Sequence, residues 1–144
     1  ILKEKALLPF IFSKRRRLQY ANANLPVIEL VNQKADGKAI VDSSKNVARI
    51  LGLLELDGNA VDVYVLHLTR DVRGYVESHN KRRKENDLRP RYFVPTFVWF
   101  AKNAAASLFV KPRARNYLHV RYEEMMLKPE QFLEQLGNFF GISL

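Results

Sequence analysis

Apolar residues are grouped along this chain in two ways. Three short runs, 39–42 (AIVD), 63–69 (VYVLHLT) and 117–120 (YLHV), lack strict alternation. Rich in Val, Ile, Leu and Tyr and bounded by polar turns, they predict short strands buried on both faces of a parallel sheet. Elsewhere apolar residues recur at three- and four-residue spacing. Val47, Ile50, Leu51 and Leu54 mark one helix, with Ser44 or Asn46 as its cap. Phe132, Leu133, Leu136, Phe139 and Phe140 mark another, opened by Pro129, where the missing N–H costs nothing. Further helices are predicted over 73–84 and from Pro95 to 109. Residues 1–20 predict a helix interrupted near Pro9 and ending in a basic run, and Leu25-Pro26 starts a second helix reaching Lys34. Turns at Asp36-Gly37 and 57–59 (DGN) lead into the first two strands. This alternation predicts an α/β fold in three layers, a parallel sheet flanked by helices. At 144 residues a single domain with a real core is expected.

The junction after the second strand carries the most chemistry. Arg70 stands at the carboxyl end of the strand, and Asp71 is positioned to cap the helix that follows. A guanidinium beside the free N–H groups and positive dipole end of a helix makes an anion site. Ser78 falls about two turns into that helix. Helical side chains lean toward the N-terminus, so its hydroxyl can reach the anion held by Arg70.

The segment RDVRGYVES, 70–78, resembles the 3′-phosphate-binding segment of sulfotransferases that use 3′-phosphoadenosine 5′-phosphosulfate (PAPS) as donor. The resemblance implies that Arg70 and Ser78 hold the donor's 3′-phosphate, with Arg73 matching a further basic position. Val72 stands where many members have proline. Two other segments support the likeness in the expected order. VDSSK, 41–45, resembles a segment upstream of the Arg-Asp strand whose loop lies near the sulfonate and the acceptor in the family. RYEEM, 121–125, followed by KPEQFLEQL and FFG, is similar to an architectural Arg-Tyr-Glu-Asp-Leu, Pro and Phe-Leu-Gly pattern. The implied fold is the P-loop-NTPase-like sulfotransferase fold, present in part. No glycine-rich loop for the 5′-phosphosulfate occurs among the six glycines. The stretch is therefore expected to be the middle and C-terminal part of a larger enzyme, the other reading being a degenerate homologue that binds nucleotide without catalysis.

The implied activity is transfer of a sulfuryl group to a hydroxyl or amine, with positioning and charge stabilisation dominating. Lys45 is the candidate to stabilise charge on the bridging oxygen or sulfonate, and Ser43 and Ser44 could hydrogen-bond the same region. Asp42 is the nearest candidate general base. It could equally orient Lys45, and the base could lie outside this stretch. His67, inside a predicted strand, reads as a satisfied core histidine, while His79 follows Ser78 and lies near the site or faces solvent. No metal is required. The acceptor is not legible, and carbohydrate, lipid, small metabolite and peptide all remain open.

Composition narrows the partners further. The net charge of +9, with dense runs at 14–17 (KRRR) and 81–84 (KRRK), attracts anionic ligands. The rival class is a basic nucleotide- or nucleic-acid-binding module. Against it, the aromatics lie in apolar stretches rather than interleaved with the basic runs as stacking platforms, so no specific nucleic acid is expected. The polar loop 85–91 is a candidate mobile segment over the site. No apolar run approaches the ~20 residues of a membrane span. The lack of cysteine excludes disulfides and thiolate metal sites; it leaves the compartment undecided, a cytoplasmic one slightly favoured.

Overall fold

The computed structural model describes residues 13–35 and 39–142. The expected helix break at Pro9 and the Asp36-Gly37 turn lie outside these residues. The chain divides into two compact units, Ile1–Val63 and Tyr64–Leu144, each taken by itself below.

In the first unit a long helix, α1 (Lys14–Ala35), packs against a short one, α2 (Val47–Leu53). Ala21, Leu51 and Leu56 are buried between them and in the turn that follows. Arg17 of α1 donates to Glu55 at 2.5 Å. The basic run 14–17 opens α1 instead of ending an earlier helix. The separate helix expected from Leu25 is part of the same element, with Pro26 inside it. A proline removes one ladder hydrogen bond but leaves the turns on either side intact, and here the Asn24 amide donates to the Tyr20 carbonyl at 2.8 Å just before it. The strand expected at 39–42 is not formed. Ile40 and Val41 are exposed, and the segment has no ladder partner among the described residues. An apolar run becomes a strand only when another strand satisfies its N–H and C=O groups. The Asp-Gly-Asn turn is present, with Gly58 at φ 73° and the Asp57 carboxylate accepting from Val63 N at 2.8 Å.

The second unit is mixed α/β. Strands β1 (Tyr64–Thr69) and β2 (Asn116–Arg121) pair in parallel, Tyr64 opposite Asn116 and Thr69 opposite Arg121. A parallel pair needs a long crossover. Here it contains α3 (Val72–Glu85), α4 (Phe93–Ala105) and one π-helical stretch, Ala106–Val110. After β2 come α5 (Tyr122–Leu127) and α6 (Pro129–Phe140), the latter with proline in its first turn and Gly141 at φ 66° closing it. Val65, Val76, Val110 and Val120 form the buried centre with Pro95 and Ala106. Successive strand residues face opposite sides. His67 of β1 bonds Asn103 of α4, while the Tyr64 ring meets Phe139 of α6 edge-on at 5.4 Å from the other side. Helices thus reach both faces. The expectation of fully buried strands is not met: Leu66 and Leu68 are exposed, because a sheet of two strands cannot bury both its faces.

The segment Phe93–Val110, with mean hydropathy 1.3, is long and apolar enough to cross a membrane by length and composition alone. Lys102 and Asn103 stand in its middle and interrupt the apolar run.

Candidate anion-binding site

The site forms where β1 ends. Asp71 caps α3 as expected, its carboxylate accepting from Arg73 N at 2.8 Å. Parallel pairing brings the residues after β2 beside the residues after β1. Glu123 accepts from Asp71 N at 2.8 Å, and Tyr122 presents its ring to the Arg70 guanidinium at 5.3 Å. From α4, the Trp99 indole donates to the Arg70 carbonyl at 2.9 Å. Strand end, helix start and the β2–α5 junction are thus fastened together around Arg70.

The Arg70 guanidinium has no carboxylate or carbonyl partner among the described residues. It lies against Gly74, where an added Cβ would stand 3.0 Å from Nε. Arg73 is used differently. Its Nε and Nη2 each donate to the Asp71 carboxylate at 3.0 Å. That pairing, with the Arg73 backbone N–H, draws the Asp71 carboxyl down to about 2 and leaves Arg73 with its charge engaged.

Arg70 and Ser78 line one open cleft of about 1170 Å³, with Lys81, Lys84 and Tyr92 along it. Lys81 and Lys84 make the second basic run a wall of this cleft. The loop expected to be mobile is tied down: Leu88 N donates to Arg83 O at 2.8 Å, Arg83 Nε to Arg89 O at 2.7 Å, and Arg91 N to the Asn80 side chain at 2.8 Å. The amide nitrogen of Asn80, a residue that also lines the cleft, is buried without a hydrogen-bond partner, as is Nδ1 of His79. A buried donor left unmet costs free energy.

His67 is a satisfied histidine. Nε2 donates to Asn103 Oδ1 at 2.9 Å, leaving Nδ1 to accept from the Tyr117 hydroxyl at 2.5 Å. Burial is the main cause of its lowered proton affinity. Asn103 in turn donates to Trp99 O at 2.8 Å, so the network holds α4 to β1 on the side that positions Arg70.

The remaining candidates gather in one turn of the first unit. Asp42 pairs with Arg49 Nε and accepts from Ser44 N at 2.9 Å. The hydrogen bond from Arg49 is the main cause of its lowered pKa. A carboxylate so engaged is a poor proton acceptor, and its partner is Arg49 rather than Lys45. Ser43, Ser44 and Lys45 are exposed, and Lys45 adopts the left-handed φ of 56°. This conformation is uncommon for a long side chain and is found at functional turns. Asn46, not Ser44, caps α2, accepting from Ala48 N at 3.0 Å and Arg49 N at 3.2 Å.

Sequence reasoning assigned no role to Gly74 or Asn80, and read Tyr122 and Glu123 as mostly architectural. Gly74 carried a signal, a glycine in the first turn of α3 four residues after Arg70. The roles of Tyr122 and Glu123 depend on which strands pair and in what register. Comparison with known proteins adds no name to this geometry: no family model, curated protein or solved structure matches the chain.

Proposed function

We propose that this chain binds the 3′-phosphate of a phosphoadenosine nucleotide and belongs to a PAPS-dependent sulfotransferase. The observation that carries the reading is Arg70, a guanidinium at a strand end with no anionic partner among the described residues, sharing a cleft with Ser78. The spacing of the two is that of the sulfotransferase segment. In this reading Arg70 and Ser78 anchor the 3′-phosphate. The two-stranded parallel sheet with its helical crossover then forms part of the larger three-layer sheet of that fold.

The donor supplies a sulfuryl group. The sulfur–oxygen bond to its 5′-phosphate breaks, sulfur bonds to the acceptor oxygen or nitrogen, and the acceptor proton passes to a base. Lys45 is proposed to stabilise the charge that develops on the bridging oxygen or sulfonate, with Ser43 and Ser44 as neighbouring donors. Asp42, held by Arg49, is proposed as an organiser of that turn, which leaves the base unassigned.

Calorimetric titration with 3′-phosphoadenosine 5′-phosphate and with adenosine 5′-phosphate tests the reading. The wild type is expected to prefer the 3′-phosphorylated nucleotide. Arg70→Ala should remove a charge-assisted contact of about 1.5–3 kcal/mol, roughly 10- to 150-fold, and abolish that preference. Arg73→Ala should change affinity little, since its charge is already paired. Unchanged discrimination in Arg70→Ala sinks the proposal. The net charge of +9 keeps a second reading in play, a basic nucleic-acid-binding module. It gains if salt-sensitive duplex binding appears without any nucleotide preference.

A further inference from the structure

We propose that the outer face of α4, with the arginines before it, docks on an anionic membrane surface, the helix lying in the plane of the lipid headgroups. Apart from Tyr92, which also borders the nucleotide cleft, this rests on features separate from that cleft. Phe93, Phe97 and Phe100 stand at positions i, i+4 and i+7 of α4, and Leu108 continues their line beyond it. They are 82%, 59%, 62% and 66% exposed, and the preceding Tyr92 is 68% exposed. Single exposed apolar residues are ordinary, but a continuous stripe of this kind marks an interaction surface.

The opposite face of the helix is already committed to its own unit. Pro95 and Ala106 are buried, Trp99 holds the Arg70 carbonyl, and Asn103 holds His67. Inserting this segment across a bilayer would break both bonds and carry Lys102 into hydrocarbon. Lying flat costs neither, so the span-like composition of Phe93–Val110 is better satisfied by an in-plane helix.

Charge selects lipid as the occupant. From Leu88 to Tyr122 the chain has seven basic residues and no acidic one. Arg89 and Arg91 precede the stripe, and Lys111 and Arg113 follow it, all exposed. An aromatic face framed by cations is the pattern of helices that lie at anionic membrane interfaces. A second copy applied to the same face would bring only more cations to it.

The test is flotation of the full chain with vesicles of phosphatidylcholine alone and of phosphatidylcholine mixed with phosphatidylglycerol, across a range of salt. The wild type is expected to float with the anionic vesicles, not with the neutral ones, and less as salt rises. Phe97→Ser with Phe100→Ser should abolish flotation. Arg89→Gln with Arg91→Gln, outside any helix, should weaken it while helix content by circular dichroism stays unchanged. A folded wild type that ignores anionic vesicles overturns the proposal. So does vesicle binding that both double variants retain. A concentration-dependent dimer by sedimentation, abolished by the phenylalanine variant, would also overturn it and make the face a contact between copies.

Discussion

Arg49 and Arg70 occupy similar places and are put to different use. Each stands at the entry to a helix, near an aspartate and over a tyrosine ring. Arg49 lies 6.0 Å from the Tyr20 ring and Arg70 lies 5.3 Å from that of Tyr122. Each also has a helix glycine close by: Gly52 makes room for the Tyr20 ring, and Gly74 for the Arg70 guanidinium itself. The difference lies in the acceptors. Arg49 donates to the Asp42 carboxylate and, at 2.6 Å, to the Tyr20 hydroxyl. Arg70 has neither among the described residues: Asp71 is paired with Arg73, and Glu123 accepts from the Asp71 N–H. A guanidinium whose donors are met inside the fold serves structure. On the proposed function, one whose neighbouring carboxylates are turned elsewhere takes an outside anion.

Four substitutions can break or sharpen this contrast. The largest effect is expected from Gly52→Ala, whose new Cβ would fall 2.3 Å from Tyr20 Cδ1. Displacing a packed ring costs about 1–3 kcal/mol and takes the hydroxyl acceptor from Arg49. Denaturant unfolding measures it, and a neutral result would mean that the Tyr20–Arg49 contact is not structural. Next, Arg49→Ala should cost about 1 kcal/mol, the usual worth of a partly exposed pair with a hydrogen bond. Arg70→Ala should stay within about 0.5 kcal/mol of wild type. The reverse order in the same unfolding experiment would erase the distinction between the two arginines. The smallest effect is a split one. Gly74→Ala should raise stability by about 0.5 kcal/mol through helix propensity. It should also weaken nucleotide binding about two- to fivefold, since the guanidinium must move at a cost of about 0.5–1 kcal/mol. Stability and affinity moving in the same direction would show that Gly74 does not shape the Arg70 site.

Much of the second unit was legible in the sequence. The strand before Arg70, the Asp71 cap, helix α3, the strand near 117–120 and the proline-opened α6 all rest on local rules of hydrophobic run, cap chemistry and proline geometry. The first unit was read less well. The run 39–42 has the composition of a strand, yet strand formation depends on a partner that composition does not supply. Pro26 announces a helix start, but a helix supported on both sides carried it through.

What the sequence by itself determined is the local order: which residues start helices, where Arg70 falls before one of them and Ser78 within it, and how much positive charge surrounds them. Only the tertiary structure decided which of these charges is free. Arg70 and Arg73 are equal in sequence terms, both near Asp71. The bidentate pairing of Arg73, the indole of Trp99 on the Arg70 carbonyl, and the Tyr122–Glu123 junction set opposite by strand register separate them. Those contacts join positions up to 52 residues apart. Hydrogen-bond acceptors are few and directional, so the cation left without one depends on where the distant acceptors fall.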